Sequence, residues 1–140
     1  MVSAHPRLRK AARIGYFAAL VVEALVQIAL VWATVRLFSS GRLRHWLQAR
    51  PGLAEPPPQL ARDLRRLMHF LAPALPRRTH CLICAVAARA MLARRGYGST
   101  LSLGADLSKS SLAAHAWLLA GSIIVTGREN MTAYREVTRF

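Results

Sequence analysis

Cys81 and Cys84 are the only cysteines of the chain, set three residues apart in the stretch PRRTHCLICAVAARAMLARRG, residues 76–96. A thiol placed there can be a buried spacer, a metal ligand, half of a redox pair or a nucleophile. Zinc needs four ligands, and the chain has neither a second C-x-x-C nor an H-x3–5-H pair. His80, Cys81, Cys84 and one distant histidine would have to make the whole set, so no metal is expected. A thioredoxin-like pair follows a strand and is separated by small or polar residues, whereas Leu82 and Ile83 are core-type side chains. Nucleophilic chemistry is favoured by the start of a helix. Partial positive charge there lowers a thiol's pKa, and the unpaired N–H groups of the first turn can hold an oxyanion. Such a thiol also needs a base, and His115 is the candidate.

Those residues demand particular elements. Thr79 is the best N-cap after the Pro76-Arg77-Arg78 loop, which sets Cys81 in the first turn of a helix. The helical pattern runs from Leu82 to Arg95, with Gly96 as its C-cap and Arg94 and Arg95 suited to the negative end of its dipole. Ala85, Ala87, Ala88, Ala90 and Ala93 permit close approach by neighbours, so this helix belongs in the core. Beyond Gly96 the period becomes two. Thr100–Leu103 reads as a strand, residues 105–113 as a polar loop, and residues 115–119 and 123–126 as a hairpin turning around Gly121. His115, Trp117 and Leu119 then share one strand face.

Residues 14–35 form the longest apolar run, preceded by Arg7, Arg9, Lys10 and Arg13 and followed by Arg36, Arg42 and Arg44. The run is long enough to span a bilayer and too long for a signal peptide. Glu23 and Gln27 interrupt it on one helical face. The expectation is a mostly buried helix whose Glu23/Gln27 stripe meets solvent or a partner, with a membrane-embedded helix as the alternative. Residues 42–49 suggest a short basic helix, and residues 51–58, PGLAEPPP, a break. Residues 59–72 form an amphipathic helix with Leu60, Leu64, Leu67, Met68 and Leu71 on one face. Arg62, Asp63, Arg65, Arg66 and His69 fall on the other. The predicted class is α+β: a helical N-terminal half, a core helix opening with Cys81, then a small antiparallel sheet. Residues 1–50, the apolar helix plus the basic one, belong to the same domain as the core of residues 51–140.

The 140 residues carry 20 Lys and Arg against 6 Asp and Glu, a net charge of +14, and are 54% hydrophobic. A real core is therefore available, and an acidic partner is indicated. No RRM, KH or C₂H₂ pattern is present and aromatics do not interleave with the basic runs, so nucleic acid is not the expected partner.

A cysteine opening an Ala/Leu-rich helix that ends in Arg-Arg-Gly, a strand ending in Leu-Gly, and His-Ala-Trp before a hairpin resemble the transglutaminase-like, papain-related cysteine hydrolases. Cys81-Leu82, Ala87-Ala88-Arg89, Leu92–Gly96, Leu103-Gly104 and His115-Ala116-Trp117 carry the likeness. More closely, the chain resembles the lasso-peptide maturation proteases, which remove the leader peptide in lasso-peptide biosynthesis. The strongest part covers residues 79–128, and Glu23-Ala24-Leu25 also resembles the family's N-terminal region. The resemblance implies a cytoplasmic hydrolase without cofactor, with Cys81 as nucleophile and His115 as base. Its partners would be a precursor peptide, a leader-recognition protein and an ATP-dependent cyclase, and peripheral membrane contact is compatible with the apolar run. His80 and Trp117 would shape the site, and Cys84 would be a small buried residue. The family's aspartate would fall at Thr126 or Gly127, neither of them acidic. Asn130, Glu129 and Asp106 are the candidates for its place. Two other readings stay open, a non-catalytic assembly protein of the same fold and a small membrane-anchored basic protein.

Overall fold

The computed structural model describes residues 6–37, 41, 54–77, 79–106, 113–128 and 134–140. The expected basic helix over residues 42–49 lies outside them. Among the described residues three helices precede a four-stranded sheet: α1 (Pro6–Leu37), α2 (Pro58–Leu71) with a short 3₁₀ turn after it (Ala72–Ala74), α3 (His80–Arg94), β1 (Thr100–Asp106), β2 (Ala113–Ala120), β3 (Ile123–Thr126) and β4 (Arg135–Arg139). The expected α+β class holds.

Pro58 sits at the first position of α2, where its missing N–H costs nothing. The stripe Leu60, Leu64, Leu67 and Met68 is buried, as the periodicity predicts. Asp63, expected on the open face, is buried as well. Gln59 four residues earlier donates from Nε2 to its Oδ1 at 3.0 Å. Polar Asp63 is tolerated inside because this bond supplies part of its lost hydration.

Helix α3 is the core. Ile83, Val86, Met91 and Leu92 are fully enclosed, as are Ala85, Ala87 and Ala88. α1 packs on it from one side and β2 from another, while α2 packs on β3. An element covered on several sides has no polar face to show, which explains its unpatterned apolar sequence. Gly96, at φ 80°, ends it in the left-handed region. Arg89 is buried within it, and its Nη1 donates to the Phe140 main-chain oxygen at 2.9 Å. Burial lowers the pKa of this guanidinium.

The expectation for α1 is overturned. Its buried stripe is Leu20, Ala24, Gln27, Ile28 and Val31, and Glu23 lies beside it. Arg95 donates to Glu23 through Nη1 at 2.9 Å and Nη2 at 2.6 Å, and Arg94 Nε stands 3.5 Å away. The polar stripe thus turns inward because the C-terminal end of α3 offers it cations. The hydrogen bonds to Glu23 raise the Arg95 pKa against the opposing effect of burial. Val22, Leu25, Val26 and Leu30 face outward instead, so α1 is not mostly buried. Glu23→Ala is expected to destabilise the fold by about 1 kcal/mol, measured by urea unfolding, since the pair is bidentate but partly open to water.

The sheet is antiparallel throughout, in the order β3-β2-β1-β4. β1 runs on through Gly104, Ala105 and Asp106, two of which the sequence assigns to a loop. In register with β2, Ser102 lies opposite Trp117 and Gly104 opposite His115. β4 is an edge strand that the sequence does not announce: all five of its residues are exposed.

Candidate active site

Cys81 is the second residue of α3. Thr79 holds the N-cap position, but its side chain makes no capping bond. The turn is fixed by main chain instead. The Pro76 carbonyl accepts from the N–H of Thr79 at 3.1 Å and of His80 at 3.0 Å, and Thr79 accepts from Ile83 at 3.0 Å. His80 Nδ1 donates to the Arg77 carbonyl at 2.8 Å, so this half-buried ring braces the loop leading to the thiol.

β2 brings His115 to Cys81, and the ring hydrogen-bonds the sulfur. His115 is buried. Its Nε2 stands 2.8 Å from the Gly127 carbonyl oxygen. A carbonyl can only accept, so Nε2 carries the hydrogen and Nδ1 is the nitrogen left with a lone pair in the neutral ring. Tyr134 stacks on the imidazole at 4.9 Å between centroids and 27° between planes, and Trp117 lies 6.0 Å away. Trp117 is itself buried.

Among the described residues, an acceptor facing Nε2 is therefore a main-chain atom. It occurs twelve residues after the histidine, where the sequence has no acid. Asn130 and Glu129 lie outside the described residues. Asp106 is buried at the end of β1, opposite Ala113 and on the same side of that strand as Gly104. Gly127 has φ 79°, and a Cβ there would sit 2.5 Å from the Ala116 oxygen. Only glycine places this carbonyl without strain. The spacing from His115 points to Thr126 or Gly127, but the residue type of Gly127 gives no hint of the contact, and Tyr134 carries no signal that marks it beforehand.

The two thiols differ in kind. Burial pushes the Cys81 thiol up, but the hydrogen bond and charge of His115, with the main-chain N–H groups of Ala116 and Leu82, outweigh it, and its pKa is lowered. Burial, reinforced by Cys81, pushes Cys84 up to about 12. Both are free cysteines. In the native protein near neutral pH, iodoacetamide is expected to label Cys81 and leave Cys84 untouched, with peptide mass spectrometry as the readout. The labelling rate should fall as pH drops through the lowered Cys81 pKa, because the thiolate is the form that reacts.

Cys81 and His115 line a cleft of about 420 Å³ with Thr126 beside them. Arg65, Arg66 and Arg128, all exposed, give it a cationic rim. His69 lines the cleft from α2. A larger cleft of about 860 Å³, between α1 and α2, contains neither Cys81 nor His115. Size alone does not choose the reactive site, and the thiol–imidazole contact does. Among the described residues, no three His, Cys, Asp or Glu side chains come together as a metal would require.

A family model described as Transglutaminase-like superfamily matches residues 24–139. No curated protein and no solved structure shows significant similarity to the chain.

Proposed function

Because the chain belongs to the transglutaminase-like superfamily, which includes cysteine hydrolases, we propose that it is a cysteine peptidase that removes the leader from a ribosomally made lasso-peptide precursor. The observation that carries the hydrolase part is the relay from the Cys81 thiol through the His115 ring to the Gly127 carbonyl. The leader specificity rests on the sequence resemblance, and the arginine rim of the cleft is consistent with it.

In this reading His115 Nδ1 takes the thiol proton, and Cys81 Sγ adds to the carbonyl carbon of the residue before the cut. Main-chain N–H groups at the start of α3 donate to the oxyanion. As the C–N bond breaks, the imidazolium returns its proton to the departing amine, which becomes the new N-terminus of the core peptide. A water molecule, deprotonated by the same ring, then adds to the thioester. The leader leaves as a carboxylic acid and the thiol is restored. Gly127 keeps Nδ1 turned to the thiol throughout, as the third member of a triad does. Arg65, Arg66 and Arg128 attract acidic leader side chains, a leader-recognition protein delivers the precursor, and the freed amine passes to the ATP-dependent cyclase.

The test combines the full chain, a precursor peptide and its recognition protein, and reads masses over time. Leader and core are expected only in the complete mixture, more slowly as salt screens the rim. Intact precursor in the complete mixture would remove the peptidase reading, and tight binding without cleavage would establish an assembly protein in its place.

A further inference from the structure

The outward side of α1 is a second surface with a chemistry of its own. The helix has 32 residues, about 48 Å at 1.5 Å per residue. Away from its buried stripe it exposes Val22, Leu25, Val26, Leu30 and Trp32, each between 41 and 62% accessible. Between Arg13 and Arg36 its sequence contains one charge, Glu23. The fold turns that charge into the seam with α3 and neutralises it with Arg95. The outer side is thus an apolar strip without a charged side chain, the kind of contiguous exposed surface that marks an interaction site. Its ends are cationic: Arg7, Arg9, Lys10 and Arg13 are exposed at the start, and at the other end Arg36 lies 5.0 Å over the Trp32 ring.

We propose that this side of α1 docks on an anionic lipid surface. The helix lies in the membrane plane with its apolar strip in the acyl boundary and its basic first turns against the headgroups. Charge selects this occupant. A second copy of the chain would bring +14 against +14, whereas anionic lipid complements both ends of the strip. Packing selects the orientation. A spanning α1 would carry the Glu23–Arg95 pair, the exposed Arg94 and the flank of α3 into hydrocarbon with it, where each charge is costly. The inference is independent of the hydrolase reading.

Density-gradient flotation of the full chain with vesicles tests it, since aggregates sink and bound protein rises. The chain is expected to float with vesicles containing about 30% phosphatidylglycerol and much less with pure phosphatidylcholine. Val22→Glu/Leu25→Glu should reduce the floated fraction at least about tenfold. Replacing Arg7, Arg9, Lys10 and Arg13 by Gln should abolish the preference for anionic vesicles, about fivefold for each residue. If near-ultraviolet circular dichroism shows the glutamate variant misfolded, the glutamine variant decides. Wild type that stays at the bottom with anionic vesicles overturns the proposal. So does a variant that floats like wild type, or bound protein that resists alkaline carbonate as a spanning helix does. A vesicle-independent dimer that Val22→Glu/Leu25→Glu converts to monomer would assign the strip to a second copy instead.

Discussion

Cys81→Ala is expected to leave the fold intact and to end leader release, with a fall of at least about 10⁴-fold in turnover. The fold should survive because Cys81 is only partly buried and precedes a run already rich in alanine, the best helix former. His115→Ala should cost nearly as much, and the double variant no more than either alone, since members of one proton relay do not act additively. Cys84→Ala should stay within a few-fold of wild type, because a thiol held at about 12 does no chemistry near neutrality. Single-turnover mass spectrometry with the precursor separates these outcomes. Equal leader release by wild type and Cys81→Ala would end the enzyme interpretation.

Gly127→Ala should have the next largest effect, about 10²- to 10⁴-fold in kcat. The residue's φ of 79° already penalises an L side chain, by about 1–2 kcal/mol. Its Cβ would also press on the Ala116 oxygen at 2.5 Å and on Trp117 Cβ at 2.8 Å, so main chain must shift and the carbonyl at Nε2 shifts with it. Gly104→Ala is the informative control. There a Cβ would meet the Trp117 ring at 2.7 Å, close to the site but away from the Gly127 carbonyl. Both variants should lose stability, while only Gly127→Ala should also return Cys81 alkylation towards the rate and pH profile of an ordinary thiol. If the two variants lose kcat and thiol reactivity in parallel, the carbonyl has no orienting role.

Much of this arrangement was legible in residue order. The stripe of α2 has one regular period and one burial face, and the Pro-rich loop before His80 marks where α3 must begin. The hairpin around Gly121 likewise separates two alternating runs, and its first strand carries His115. Other features resist such reading for physical reasons. Glu23 and Gln27 look outward on α1 because polarity usually goes to water, but the cations that reverse this lie 72 residues away in the chain. Asp63 is hidden by a similar local compensation. β4 consists of REVTR with no apolar alternation, because an edge strand paired with β1 needs main-chain partners rather than a buried face. Counting from His115 leads to the segment of Gly127, but the residue types that ordinarily face an imidazole there are acids and amides. Gly127 performs the contact with an atom that every residue possesses, so its type discloses only the backbone freedom, not the use made of it.

That contact has a consequence for how the protein meets acid. A carboxylate in the same place would gain a proton on strong acidification and surrender its grip on the imidazole. An amide oxygen has no such transition in the range where proteins stay folded, so this tether is blind to acidity. It is also beyond the reach of deletion by any single codon change, which can displace the oxygen but never remove it.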